Sequence, residues 1–113
     1  MTNTLKSKRI FRIDRFIVPA ASEIEFLNTV AETNSVFDAM AGCVQRHVLK
    51  QQRSSSEAVF LTVVEWESVE AIQKAREAVV IKHAKMGLDP QEMFQRLNIQ
   101  ADLGTFVPAF ESE

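Results

Sequence analysis

Cysteine is nearly missing from this 113-residue chain; Cys43 is the only one. An intrachain disulfide is therefore impossible, and a cysteine-rich metal site is excluded. A dominant charge is missing too. The 13 Lys and Arg stand against 15 Asp and Glu, and a net charge of −2 gives no electrostatic reason to expect nucleic acid or an anionic membrane as partner. No stretch approaches the roughly 20 apolar residues of a membrane span. The N-terminal run MTNTLKSKRIF has no apolar segment of signal-peptide length, so a cytoplasmic location is expected. Standard catalytic signatures are absent: there is no Gly-rich phosphate loop, no Gly-x-Ser-x-Gly and no His-Glu-x-x-His.

The composition that remains is that of an ordinary globular protein, 46% hydrophobic and 25% charged. The length suits one core. Residues 1–8 are polar and aperiodic and read as a flexible tail, which leaves residues 9–113 as a single domain.

The most informative stretch is Ala58–Trp66, AVFLTVVEW. Side chains of a strand alternate between two faces. Here one face carries Val59, Leu61, Val63 and Glu65, and the other Phe60, Thr62, Val64 and Trp66. Both faces are apolar along most of their length, so the strand must be covered twice. One short chain with few helices supplies one cover, and a second copy of the protein is the expected source of the other.

The remaining elements follow in order. Arg9–Val18 alternates as a strand, with Phe11, Ile13, Arg15 and Ile17 on one side and Ile10, Arg12, Asp14, Phe16 and Val18 on the other; Pro19 ends it. Ser22 and Glu25 have capping-box spacing and predict a helix start. Ile24, Leu27, Val30 or Ala31, Phe37 and Met40 or Ala41 form its expected apolar stripe, with Gly42 as a positive-φ stop. Cys43–Gln51 reads as a strand joined to Ala58–Trp66 by the polar turn QQRSSSE. Ser68 is a plausible cap for a second helix whose stripe is Ile72, Ala75, Val79 and Met86, stopped by Gly87. The β-branched run at Val79–Ile81 allows a distortion there. Asp89-Pro90-Gln91-Glu92 opens a short helix to Leu97, and Ala101–Val107 forms a last strand. The order β-α-β-β-α-(α)-β predicts an α+β, ferredoxin-like fold: a four-stranded antiparallel sheet with helices on one face.

Three segments give this chain a family resemblance: Phe11–Pro19 opening the fold, Ala41-Gly42-Cys43-Val44 at the turn into the second strand, and Val63–Ala71. The last, a strand closing on Trp66 before the Ser68 cap and an acidic helix start, is the most specific. In these it resembles the antibiotic biosynthesis monooxygenase superfamily of dimeric α+β barrels, over roughly Arg9 to Pro108. The resemblance implies a homodimer whose sheets join into a barrel, and a pocket inside each protomer between helices and sheet. It implies one of three functions. The first is a small oxygenase that oxidises an aromatic or quinol substrate with O2 and no metal or flavin. The second is a heme-binding or heme-degrading protein, and the third a non-catalytic ligand-binding dimer.

The residues weigh on that choice. Asp14 stands mid-strand where family members point a polar group into the pocket, often Asn in the heme-degrading branch. As a carboxylate it could take a substrate phenol proton, or it could serve only as an ion-pair partner of Arg12, Arg15 or Arg46. His83 shares one side of the second helix with Ile72, Arg76 and Val79, so it could relay protons, ligate heme, or be a core histidine with one satisfied nitrogen. The heme-degrading branch has a helix Trp upstream of its axial His; Ala71–Val80 has none, which disfavours heme. Tyrosine is absent, and with it a common phenol-binding partner of the oxygenase branch. Asp14 and His83 are therefore the expected catalytic pair. Arg12, Phe16, Trp66, Arg76 and Val79 are expected to bind substrate, with Arg12, Arg15 or Arg76 stabilising an anion, and no metal is expected. Trp66 also suits a packing role at the sheet rim. His47 could face either pocket or dimer partner, and Cys43 reads as a small buried hydrophobe.

Overall fold

The computed structural model describes residues 9–110, so the flexible tail expected over residues 1–8 lies outside the described residues. The chain runs β1 (Ile10–Pro19), α1 (Glu23–Phe37), β2 (Cys43–Gln52), β3 (Glu57–Trp66), α2 (Val69–Lys85), α3 (Pro90–Leu97) and β4 (Gln100–Phe106), with a 3-10 turn at Ala20–Ser22. The four strands make one antiparallel sheet in the order β2-β3-β1-β4, a ferredoxin-like α+β arrangement. β1 and β3 take the centre. That place pairs both edges of each strand and leaves their two faces to be covered from above and below the sheet.

Register fixes which residues share a face. Asp14 of β1 stands between Thr62 of β3 and Leu103 of β4, and Arg12 stands opposite Val64 and Thr105. These point to the helices. On the other face one row runs Gly104, Ile13, Val63, His47 and the next Asp102, Arg15, Leu61, Leu49. β3 is buried where helices or neighbouring side chains cover it, but Leu61 and Val63 are only half-buried and Leu49 is 50% exposed. The helices cover one face only.

Local chemistry explains the helix ends. The Ser68 side chain accepts a hydrogen bond from the Ala71 amide, and the Asp89 carboxylate caps the amides of Gln91 and Glu92 ahead of Pro90 at the first position. Gly87, at φ 68°, stops α2 as expected. α2 is an uninterrupted helix through Val79–Ile81, so the β-branched run causes no distortion.

Four local expectations fail. The capping box at Ser22 does not form: the buried hydroxyl donates to the Leu97 carbonyl at 2.8 Å and ties α1's start to the end of α3 instead. The stripe of α1 keeps Leu27, Val30 and Phe37 on the core as expected, but Phe26 is buried at its start and Ile24 is 78% exposed. Phe26 wins because it stacks at 5.0 Å on Phe16 and 5.3 Å on Phe60, a larger apolar burial than Ile24 could make. At the far end of α2, Met86 is likewise exposed and adds nothing to that helix's stripe. Gly42 is not a positive-φ stop, and α1 ends earlier, at Phe37. Its glycine is needed for close approach: a Cβ there would lie 2.5 Å from the Ala71 Cβ.

The core has two parts. Phe16, Val18, Phe26, Ala58, Phe60 and Ile99 form one, under α1 and α3; Val64, Trp66 and Ala75 form the other, with Phe37 and Ile72 packed on them.

Replacing Gly42 by Ala should destabilise the chain by about 1–3 kcal/mol in urea unfolding, because the new methyl meets a helix-anchored neighbour. Ala71→Gly in the same chain should restore part of the loss. An unchanged midpoint in Gly42→Ala would mean that the turn and α2 do not meet.

Candidate ligand cavity

A cavity of about 320 Å³ lies between the two core clusters, floored by the sheet and roofed by the three helices. It exists because α2 packs on α1 and β3 but makes little contact with β1 and β4. The side chains of β1 that face the helices are left with open space above them. All seven residues singled out from the sequence line it: Arg12, Asp14 and Phe16 from β1, Trp66 from β3, and Arg76, Val79 and His83 from α2. Most of the wall is apolar, with Phe26, Phe37 and Phe94 adding aromatic surface.

The polar groups inside are few and largely engaged. Arg12 donates from Nε to Asp14 Oδ1 at 2.9 Å, so the ion-pair role foreseen for Asp14 is realised with Arg12. Arg15 is exposed on the opposite face of the sheet, and Arg46 pairs with Asp38, so neither meets Asp14 and neither can stabilise an anion in this cavity. His83 Nε2 lies 2.9 Å from Thr33 Oγ1 on α1. In one tautomer the ring accepts the threonine proton; in the other it donates and leaves Nδ1 as a free base. Burial pushes the His83 pKa below its ordinary value, so the ring is neutral near pH 7. Trp66 meets Phe37 edge-on at 5.1 Å and is 3% exposed, so it packs as well as lining the cavity.

Thr29, Thr33, Asn34 and Thr62 also line the cavity and were not foreseen. Thr62 shares a face of β3 with Phe60 and Val64; the other three are polar residues of α1 beside Phe26, Val30 and Phe37, and polar residues on a helix ordinarily read as surface. His47 belongs elsewhere. It is exposed on the outer sheet face opposite Val63, its Nε2 3.2 Å from Gln45 Oε1. On that face Glu65 is buried, and the Arg9 side chain, then Gln45, hold its carboxyl below the usual range despite burial. Cys43 is half-buried and packs beside Trp66. Among the described residues no cluster of three or more His, Cys, Asp or Glu could hold a metal ion, and no helix is long and apolar enough to cross a membrane.

Comparison with known proteins places this geometry. The family model for antibiotic biosynthesis monooxygenase matches residues 9–86. No curated protein matches the chain. Among solved structures it is similar to SnoaB, a cofactor-independent oxygenase from Streptomyces nogalater, at a TM-score of 0.62 and 17% identity, covering 91% of this chain and 95% of that one. It is similar to a mutant of MhuD with two manganese protoporphyrin IX molecules bound per active site, at 0.65 and 20% identity, covering 89% and 95%. Rv0793 from Mycobacterium tuberculosis superposes at 0.63 with 15% identity over 93% and 99%. At these identities the structural likeness shows the shared fold.

The neutral His83 makes stability sensitive to acid. The unfolded imidazole takes a proton near pH 6.5, whereas the folded one resists until lower pH. Between those points the unfolded chain binds more protons, so stability falls as pH drops through about 6.5 and is unaffected by His83 above that range. The urea midpoint should therefore fall between pH 7.5 and pH 5.5 by more in the wild type than in His83→Gln. Parallel pH profiles would show that His83 does not carry this loss.

Proposed function

From the premise that the chain belongs to the antibiotic biosynthesis monooxygenase family, we propose that it is a cofactor-independent monooxygenase acting on a small aromatic or quinol substrate. The observation that carries this reading is the convergence of a carboxylate, a neutral imidazole and an arginine in one cavity with aromatic walls. Such walls exclude water and hold a flat ring by area and by ring-edge contacts. Asp14 or His83 takes the proton from a substrate hydroxyl. The resulting anion is electron-rich enough to reduce O2 by one electron, and the radical pair recombines at a ring carbon. When that carbon is a methylene, its two hydrogens leave with one oxygen atom as water and the second oxygen remains as a carbonyl. The substrate supplies every electron, so the balance needs neither metal nor flavin. Arg12, held by Asp14, offsets the anion while it forms. Phe16, Trp66 and Val79 contribute ring contacts.

Heme is the alternative that the family admits. Two features of the cavity weigh against it: the Nε2 of His83 is engaged by Thr33, and the stretch Ala71–Val80 offers no Trp beside it. A sharp Soret band on hemin addition, lost in His83→Ala, would reverse this preference.

The partner in this reading is a second copy of the chain, packed sheet to sheet on the outer face where Ile13, Leu61 and Val63 leave apolar surface. A cytoplasmic location goes with it, as does the absence of nucleic acid and membrane from its partners.

Oxygen uptake with a panel of hydroquinones and hydroxylated polyaromatics tests the activity. At least one should be consumed with O2 in equal amounts, and Asp14→Asn or His83→Gln should slow the reaction by about 10²–10⁴-fold, the usual share of a proton-transfer group. Unaltered uptake in both variants, or none with any substrate, contradicts the reading.

A further inference from the structure

Four ionisable side chains line the cavity: Arg12, Asp14, Arg76 and His83. Two of them cancel, since Arg12 and Asp14 are joined at 2.9 Å. His83 is hydrogen-bonded to Thr33 and uncharged. Arg76 is left. It has no side-chain partner among the described residues, and a guanidinium stays charged at any ordinary pH. The cavity therefore carries one uncompensated positive charge against walls that are mostly hydrocarbon. A low-dielectric wall strengthens the pull of that charge on an anion.

Position separates this charge from the reacting end. Arg76 and His83 are seven residues apart on α2, which is about 10 Å along the helix at ~1.5 Å per residue. A substrate hydroxyl presented to His83 thus lies one to two ring widths from the guanidinium. Arg76 is exposed, so its head sits where the cavity meets solvent rather than deep among the rings. A phenolate formed at the base would be too far away to be its main partner. A permanent anion at the other end of the ring system would not.

We propose that the cavity selects aromatic substrates bearing a carboxylate, and that Arg76 is the specificity-determining residue that receives it. The guanidinium fork matches a carboxylate bidentately, which a neutral ester or amide cannot reproduce. This rests on the aromatic-ligand reading of the same cavity and adds to it the charge and orientation of the ligand: carboxylate outward at Arg76, hydroxyl inward toward His83 and Asp14.

Calorimetric titration with 6-hydroxy-2-naphthoate and with 6-hydroxy-2-naphthamide, which carry the hydroxyl and the acyl group at opposite ends of the ring system and differ only in that charge, separates the possibilities without requiring turnover. The acid should bind at least about tenfold more tightly than the amide, the ordinary value of a hydrogen-bonded charge pair. The gap should narrow in high salt. Arg76→Gln should bring the acid down to the affinity of the amide and leave the amide unchanged, while Arg76→Lys should keep part of the preference. Arg76 is exposed and unpaired, so these variants are expected to unfold in urea with the wild type. Equal binding of the two ligands to wild type, or a preference that survives in Arg76→Gln, overturns the role of Arg76 and leaves the oxygenase reading standing. Failure of both ligands to bind overturns the aromatic cavity itself, and the proposal with it.

Discussion

The fold depends on a strand that needs two apolar covers in a chain whose helices supply one. β3 presents Phe60, Val64 and Trp66 to the helices and Val59, Leu61 and Val63 to the other side. Its central place in the sheet protects its edges, but not its outer face. The helices are held over the inner face by specific ties. Lys50 on β2 pairs with Glu23 on α1, Arg46 with Asp38 just beyond it, and Arg96 on α3 with Glu25. These are surface pairs of small individual worth, and they orient rather than stabilise. The stabilising term is the aromatic contact chain Phe94–Phe16–Phe26–Phe60 on one side and Phe37–Trp66 on the other.

The cavity follows from how that packing is divided. Two aromatic clusters gather at opposite ends of the helix layer, and neither fills the space over the middle of β1. The residues there are Arg12 and Asp14, whose charges would be costly under a tightly packed helix. Pairing them satisfies both, at the expense of a close approach by α2. A polar floor and a helix that stands off it are thus two views of one compromise. His83 shows the same logic on the roof: half-buried beside apolar neighbours, it stays uncharged and shares a single hydrogen bond across the α1–α2 seam.

What was legible in the sequence was whatever short-range chemistry decides. Ser68 and Asp89-Pro90 announce helices because the capping hydrogen bonds close within three residues. The strand faces were readable because period two is rigid, and with them the shared side of Arg12, Asp14 and Phe16. His83 and Arg76 could be placed on one side of α2 because seven residues are close to two full helical turns. Ser22 was misread because its hydroxyl finds a partner 75 residues away, at Leu97, in place of the nearby amide. On α1 only Ile24 was misplaced: Phe26 takes the inward place beside Leu27 and Val30 because it meets aromatic neighbours from two strands. Thr33 and Asn34 lie between Val30 and Phe37 and line the cavity with them; they were passed over because polar residues on a helix usually mark its solvent face. Gly42 looked like a helix stop, though the close neighbour that requires it, Ala71, belongs to another helix. His47 was undecidable without the bulge between Cys43 and Gln45, which shifts the register of β2.

The second cover of β3 remains the most consequential inference, since an outer face with Leu61, Val63 and Ile13 exposed to water would be a patch that few monomers sustain. Sedimentation equilibrium of the wild-type chain at micromolar concentration tests it directly. Face-to-face sheets predict a single species of twice the 12.8 kDa chain mass. A species of 12.8 kDa that persists across that range would contradict a doubly covered sheet.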